Sequence, residues 1–91
     1  MTKANLIEEV SRLLQLPPKD SETVVNAIFD KITEALVNGD KVELRGFGSF
    51  RIRHRKPRTG RNPRSGTRVD VPAKRVPTFT VGKQLRQMVN G

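Results

Sequence analysis

Residues 56–74 carry six basic side chains, three prolines and two glycines, with only two large apolar residues, Val69 and Val71. A segment of that composition does not enter a hydrophobic core. Nineteen of the 91 residues are thereby lost to burial, in a chain that is only 34% hydrophobic. A domain of this size already stands near the lower limit of independent folding. Disulfides, metals or oligomerisation are the usual remedies, and the chain has no cysteine. A second chain is therefore the expected remedy. The lack of cysteine also removes thiolate metal ligands and thiol nucleophiles, and it fits a reducing compartment.

Charge is distributed as unevenly as hydrophobicity. Residues 1–50 carry a net charge of −2 and residues 51–91 a net charge of +11, giving the overall +9. Within 51–75, ten basic residues face a single acid, Asp70. Such a block beside a nearly neutral half suggests a polyanion-binding appendage on an ordinary scaffold. Eight of the ten are arginine, whose planar fork suits phosphates and narrow grooves.

The first forty residues read as a helical hairpin. Thr2 is placed to cap a helix whose stripe is Leu6, Ile7, Val10, Leu13 and Leu14, spaced for one face. Asn5 stands where Glu or Gln serves a capping box best, so an incomplete box is expected. Pro17 and Pro18 end this segment, and Pro18 suits the first position of a second helix. Val24, Val25, Ile28, Phe29, Ile32 and Leu36 continue the stripe until Asn38-Gly39 stops it.

From Lys41 the period becomes two. Val42 and Leu44 alternate with charged neighbours, and Phe50, Ile52 and His54 alternate with Arg51, Arg53 and Arg55. This predicts strands over 41–45 and 49–55 joined by a turn at Gly46-Phe47-Gly48, with the apolar face over the helices. For 56–74 two readings stand, a disordered linker or a two-stranded ribbon with its tip near Asn62-Pro63-Arg64. The chain returns through 76–81, anchored by Phe79, and closes with a helix over 83–89 whose Leu85, Met88 and Val89 face inward. No repeat or second domain is visible.

Catalysis finds no material here. The chain has one histidine and no convergent carboxylates, so no nucleophile–base–orienter set can be assembled. No catalytic residue, metal site or cofactor is expected. His54 reads as a partly buried or ribbon-base residue, since a metal needs several converging ligands. The glycines flanking Phe47 lack the Lys-Ser/Thr of a phosphate-cradling loop and read as a tight turn, although their N–H groups can approach a nucleic-acid backbone. The longest apolar runs span three residues, against about 20 for a bilayer-spanning helix. No apolar leader segment follows Met1, so a cytoplasmic location is expected, with no membrane partner and no small-molecule substrate.

The run Arg45-Gly46-Phe47-Gly48-Ser49-Phe50, the arm sequence Pro57-Arg58-Thr59-Gly60-Arg61-Asn62-Pro63-Arg64-Ser65-Gly66, and the stretch from Val76-Pro77 to Gly82-Lys83 together resemble the HU/IHF family of bacterial histone-like DNA-bending proteins. Within it, Arg45 and the Arg-Thr-Gly-Arg-Asn-Pro run are similar to the beta-type branch of integration host factor. The resemblance covers the chain from end to end. It implies an α+β fold and an intertwined dimer with a helical-hairpin base, a small antiparallel sheet, one long β-ribbon arm per chain and a short C-terminal helix. The implied divisions are 1–40 for the dimerisation base, 41–55 and 75–81 for the sheet, 56–74 for the arm and 82–91 for the closing helix. Val25, Phe29, Ile32, Leu36, Leu44, Phe47, Phe50 and Phe79 are the expected dimer core.

The implied partner is double-stranded DNA, bound by a homodimer or by a heterodimer with a related HU/IHF subunit in the nucleoid. Pro63 matches the family's tip proline, which wedges between base pairs. Arg58, Arg61 and Arg64 match positions along the minor groove, and Arg53, Arg55, Lys83 and Arg86 match backbone contacts. Lys56, Asn62, Arg68, Lys74 and Arg75 in or beside the arm, and Arg45, Gly46 and Ser49 at the first hairpin, complete the expected contacts. Thr67 stands where many members carry an acid. Bending rather than a base-reading helix implies low or partial sequence specificity, with Arg45 and Glu43 beside the arm base as sources of preference, Glu43 reading equally well as a plain surface residue. An RNA-binding protein and a module for acidic proteins or lipid headgroups are the alternatives. Few aromatics are available for stacking, and no basic amphipathic helix is visible.

Overall fold

The computed structural model describes residues 1–61 and 63–91, and for Val69 and Val71 the backbone alone. Asn62, an expected arm contact, lies outside the described residues. The element order is α1 (Lys3–Leu14), α2 (Pro18–Val37), β1 (Val42–Leu44), β2 (Gly48–Arg55), β3 (Arg58–Arg61), β4 (Arg68–Val71), β5 (Lys74–Val81) and α3 (Lys83–Asn90). The α+β class is as the sequence implied.

Helix α1 corrects one local expectation. The capping box is complete, because Thr2 Oγ1 accepts from the Asn5 N–H at 3.1 Å and Asn5 Oδ1 accepts from the Thr2 N–H at 3.0 Å. Asparagine is shorter than glutamate, but its carbonyl still reaches one turn back. Helix α2 opens on Pro17-Pro18, with the Pro17 carbonyl accepting from Asp20 and Ser21. It ends in a Schellman motif. Gly39 adopts φ +84, its N–H donates to Leu36 O, and the Asp40 N–H donates to Ala35 O.

Strands β1, β2 and β5 form a three-stranded antiparallel sheet in the order β1-β2-β5. Gly46 makes the β1–β2 turn at φ +86, and the Phe47 N–H donates to Leu44 O at 2.9 Å. Phe50 pairs with Phe79 across β2 and β5, and the Phe79 ring sits 4.8 Å from that of Phe50 and 5.6 Å from that of Phe47. The same ring closes over Gly48, where any Cβ would lie 2.5 Å from Phe79 Cζ and from the Thr80 carbonyl oxygen.

Residues 56–74 form a ribbon and not a linker. Strands β3 and β4 pair antiparallel, Arg58 with Val71 and Arg61 with Arg68, as a separate two-stranded sheet. The β2–β5 ladder ends at Arg55 opposite Lys74, so two residues intervene on each side and the register carries through. Pro57 thus stands opposite Pro72 at the gap. The molecule measures 59 × 33 × 28 Å with a radius of gyration of 19.1 Å, against about 12 Å for a compact chain of this length.

The body is thinly buried, as the composition required. Among the described residues only Val25 and Ser21 are fully buried. Of the expected core, Ile32, Leu36 and Phe50 are half-buried, while Phe29, Leu44, Phe47 and Phe79 stay exposed in the single chain. Leu13 and Leu14, expected on the inward stripe, are also exposed, because they lie in the last turn of α1 where nothing of this chain covers them. Met88 and Val89 correct a further expectation, being 72% and 76% exposed. Helix α3 is held at its first turn, where Gly82 N donates to Phe47 O and Leu85 N to Gly46 O. Only Leu85 is half-buried there. His54, expected at least partly buried or at the ribbon base, is exposed and pairs with Arg75 near the end of the body sheet.

Candidate nucleic-acid interface

Alternation along β2 separates its two faces. Phe50, Ile52 and His54 share the side of Phe79, Pro77 and Arg75, while Arg51, Arg53 and Arg55 stand on the other beside Thr78, Val76 and Lys74. One face of the sheet therefore carries a row of four cations. Arg51 was absent from the expected contacts, although the same period-two signal that marks Arg53 and Arg55 marks it too. Among the described residues Arg51, Arg53, Arg55 and Lys74 make no ion pair.

The row continues into the root of the arm. Arg55, Lys56, Arg58, Pro72 and Lys74 line a cleft of about 290 Å³ with no acidic side chain in its wall. Farther out, Arg61 is directly opposite Arg68, an arrangement that destabilises a free ribbon and that an anion between the strands relieves. Arg68 lies 3.9 Å from Asp70, with both side chains largely exposed. Pro63, Arg64 and Ser65 form the exposed turn at the tip. Gly66 follows at φ +69, and Ser65 Oγ donates to Thr67 Oγ1 at 2.7 Å. Thr67 thus braces the loop through hydroxyls.

A second group gathers at the first hairpin. Arg45, Gly46, Ser49 and Gly82 line an open concavity of about 520 Å³, which also contains Glu43. Glu43 is paired with Lys41 at 3.0 Å. Lys83 and Arg86 belong to the first two turns of α3, which starts from this concavity. Helix α3 has no side-chain cap, and of its first-turn N–H groups Leu85 donates to the Gly46 carbonyl, so Lys83 and the remaining helix N-terminus offer positive potential there.

Arg75 behaves differently from the rest. Its Nη2 donates to the carbonyl oxygens of Leu36 and Val37 at 3.2 and 3.0 Å, turning it toward the helices and away from the cationic row. Among the described residues no three of His, Cys, Asp and Glu gather as a metal site, and no helix is long and apolar enough to cross a membrane.

The arrangement provides two exposed cationic surfaces, joined by the β2 row and ending in a rigid proline. Its spacing suits a long polyanion and not a small anion. Residues 1–90 match the sequence profile of a family described as bacterial DNA-binding protein. The chain is 53% identical to integration host factor subunit beta of Dechloromonas aromatica (strain RCB) and 50% identical to that of Azoarcus sp. (strain BH72), each over 99% of this chain and 97% of the relative. Among solved structures, an HU chain from an Anabaena HU–DNA cocrystal superposes with a TM-score of 0.87 at 43% identity, covering 98% of this chain and 97% of that one. HU from Thermotoga maritima superposes with a TM-score of 0.69 at 31% identity, covering 98% of each.

Proposed function

The chain belongs to the bacterial DNA-binding protein family, and from that membership we propose that two such chains clasp duplex DNA in the minor groove and bend it. The observation that carries this reading is the ribbon itself, a projecting arm lined with arginines and ending in Pro63, on a chain so similar to one solved with DNA. Proline wedges in the minor groove are a general device of architectural proteins, with IHF and HU among the known examples. Pro63 lacks an N–H, so entering a base stack strands no donor. Unstacking costs about a few kcal/mol per step and smooth bending about 1–6 kcal/mol. Counter-ion release by many phosphate contacts offsets both.

In this reading Arg58, Arg61, Arg64 and Arg68 follow the groove. Arg51, Arg53, Arg55, Lys56 and Lys74 hold the flanking phosphates, and Arg45, Gly46, Ser49, Lys83 and Arg86 hold the backbone against the body. Residues 1–40 are the dimerisation base, 41–55 and 75–81 the sheet, 56–74 the arm and 82–91 the closing helix. Dimerisation is supported by the exposed Ile28, Phe29, Phe47 and Phe79, an apolar extent that a stable monomer does not leave in water. The dimer is a homodimer or pairs with a related subunit. The role is architectural and not catalytic, carried out in the cytoplasm on the nucleoid, with low or partial sequence specificity.

A salt titration of affinity tests it. Binding to a mixed-sequence duplex should weaken steeply with salt, by a slope of about −0.9 per phosphate engaged, and should resist competition by duplex RNA. A salt-insensitive affinity, or a preference for RNA, contradicts the reading.

A further inference from the structure

The C-terminus of α2 is closed from outside its own sequence. The Schellman bonds satisfy the carbonyls of Ala35 and Leu36, and the Asn38 N–H returns to Glu34. The Val37 carbonyl lies beyond them. No basic residue occupies the last turn of α2, so the negative end of the helix dipole has no cation of its own. Arg75 supplies both missing parts, donating to Val37 O at 3.0 Å and to Leu36 O at 3.2 Å from a position 38 residues away in the chain.

Arg75 belongs to the second residue pair of β5, opposite His54 and immediately inside the Arg55–Lys74 pair that ends the body ladder. Beyond that pair the sheet is interrupted before the arm begins. Close to the end of the body ladder, the returning strand is thus tied to the helical base by a side chain on a helix terminus. Strand alternation points this residue to the Phe79 side and not to the cationic side.

We infer that Arg75 is a positioning residue for DNA bending, bolting the root of the arm to the C-terminus of α2, and is not a phosphate contact. The inference rests on the DNA-bending function proposed above. Arg75 fixes the direction in which the arm leaves the body, so its loss degrades the bend without removing a counter-ion release event. A guanidinium bridging two carbonyls is not replaced in full by an ammonium, so lysine restores part of the effect.

The test uses the full chain in two arms. In free protein, amide exchange at Asn38, Gly39, Asp40 and Val76 should be faster in Arg75→Ala by about two- to five-fold, the worth of a cation at a helix C-terminus. Arg75→Lys, which keeps the charge, should fall between Arg75→Ala and wild type. With an end-labelled duplex, Arg75→Ala should bring the ends less close together, while its salt slope stays equal to that of wild type. Unchanged exchange at the helix terminus overturns the inference. So does a slope reduced by about 0.9, the signature of a lost phosphate contact. If wild type itself does not bind the duplex, the function proposed above fails, and the exchange arm still decides whether Arg75 joins the strand to the helix.

Discussion

Pro57 stands opposite Pro72 where the body sheet ends and the arm begins, as the pairings Arg55–Lys74 and Arg58–Val71 on either side require. Neither residue has an N–H to contribute to a ladder. The one continuous register is therefore divided into a three-stranded sheet and a two-stranded ribbon. A lone two-stranded ribbon is marginal in water, and the like charges of Arg61 and Arg68 weaken it further. The amides of β3 and β4 should exchange close to the intrinsic rate in free protein, while those of β2 and β5 are protected. Adding duplex DNA should protect the arm. Strong protection of β3 and β4 without DNA contradicts the two-part account.

Replacing arm arginines one at a time separates charge from geometry. Arg58→Ala and Arg61→Ala should each reduce the salt slope of DNA binding by about 0.9 and weaken binding to all sequences alike. Measuring affinity across several salt concentrations with two unrelated duplexes checks both statements. Loss confined to one duplex would assign the residue to base readout instead.

Gly48 is a packing requirement of the body. A Cβ there would lie 2.5 Å from Phe79 Cζ and from Thr80 O, the latter being backbone and unable to move aside cheaply. Gly48→Ala should destabilise the fold by about 1–3 kcal/mol, seen as a lower thermal midpoint. The arm's salt slope should be unaffected.

Dimer formation makes stability depend on concentration. The exposed Ile28 and Phe29 on α2 and the exposed Phe47 and Phe79 at the sheet leave the single chain with little core. The thermal midpoint should rise with protein concentration, as mass action requires of a dimer. Phe29→Glu should lower that midpoint and shift the sedimenting species toward monomer. A midpoint independent of concentration would contradict pairing.

Much of this organisation is legible in the residues. The period change at Lys41 marks the passage from helices to strands, and the alternation of Phe50 and Ile52 with arginines predicts both faces of β2. The residues of the ribbon fit a strand pair and a linker equally, because their polarity offers no burial to decide the matter. Its pairing comes from the body register, which delivers Arg58 opposite Val71. Met88 and Val89 share apolar chemistry with Leu85, but α3 is docked only at its first turn, so their exposure follows from tertiary placement. Arg75 looks like any other cation in a basic run. The parity of β5 gives its side of the sheet, while its proximity to Val37 depends on how the sheet sits on α2.

The central claim is that the arm tip bends DNA by entering the base stack. It is tested by energy transfer between the labelled ends of a duplex of about 35 base pairs, comparing wild type with Pro63→Ala at matched saturation. The account predicts that wild type draws the ends together and that Pro63→Ala binds with nearly the same salt slope while the ends stay farther apart. Equal approach of the ends with both proteins, or salt-sensitive binding with no approach at all, would contradict the wedge.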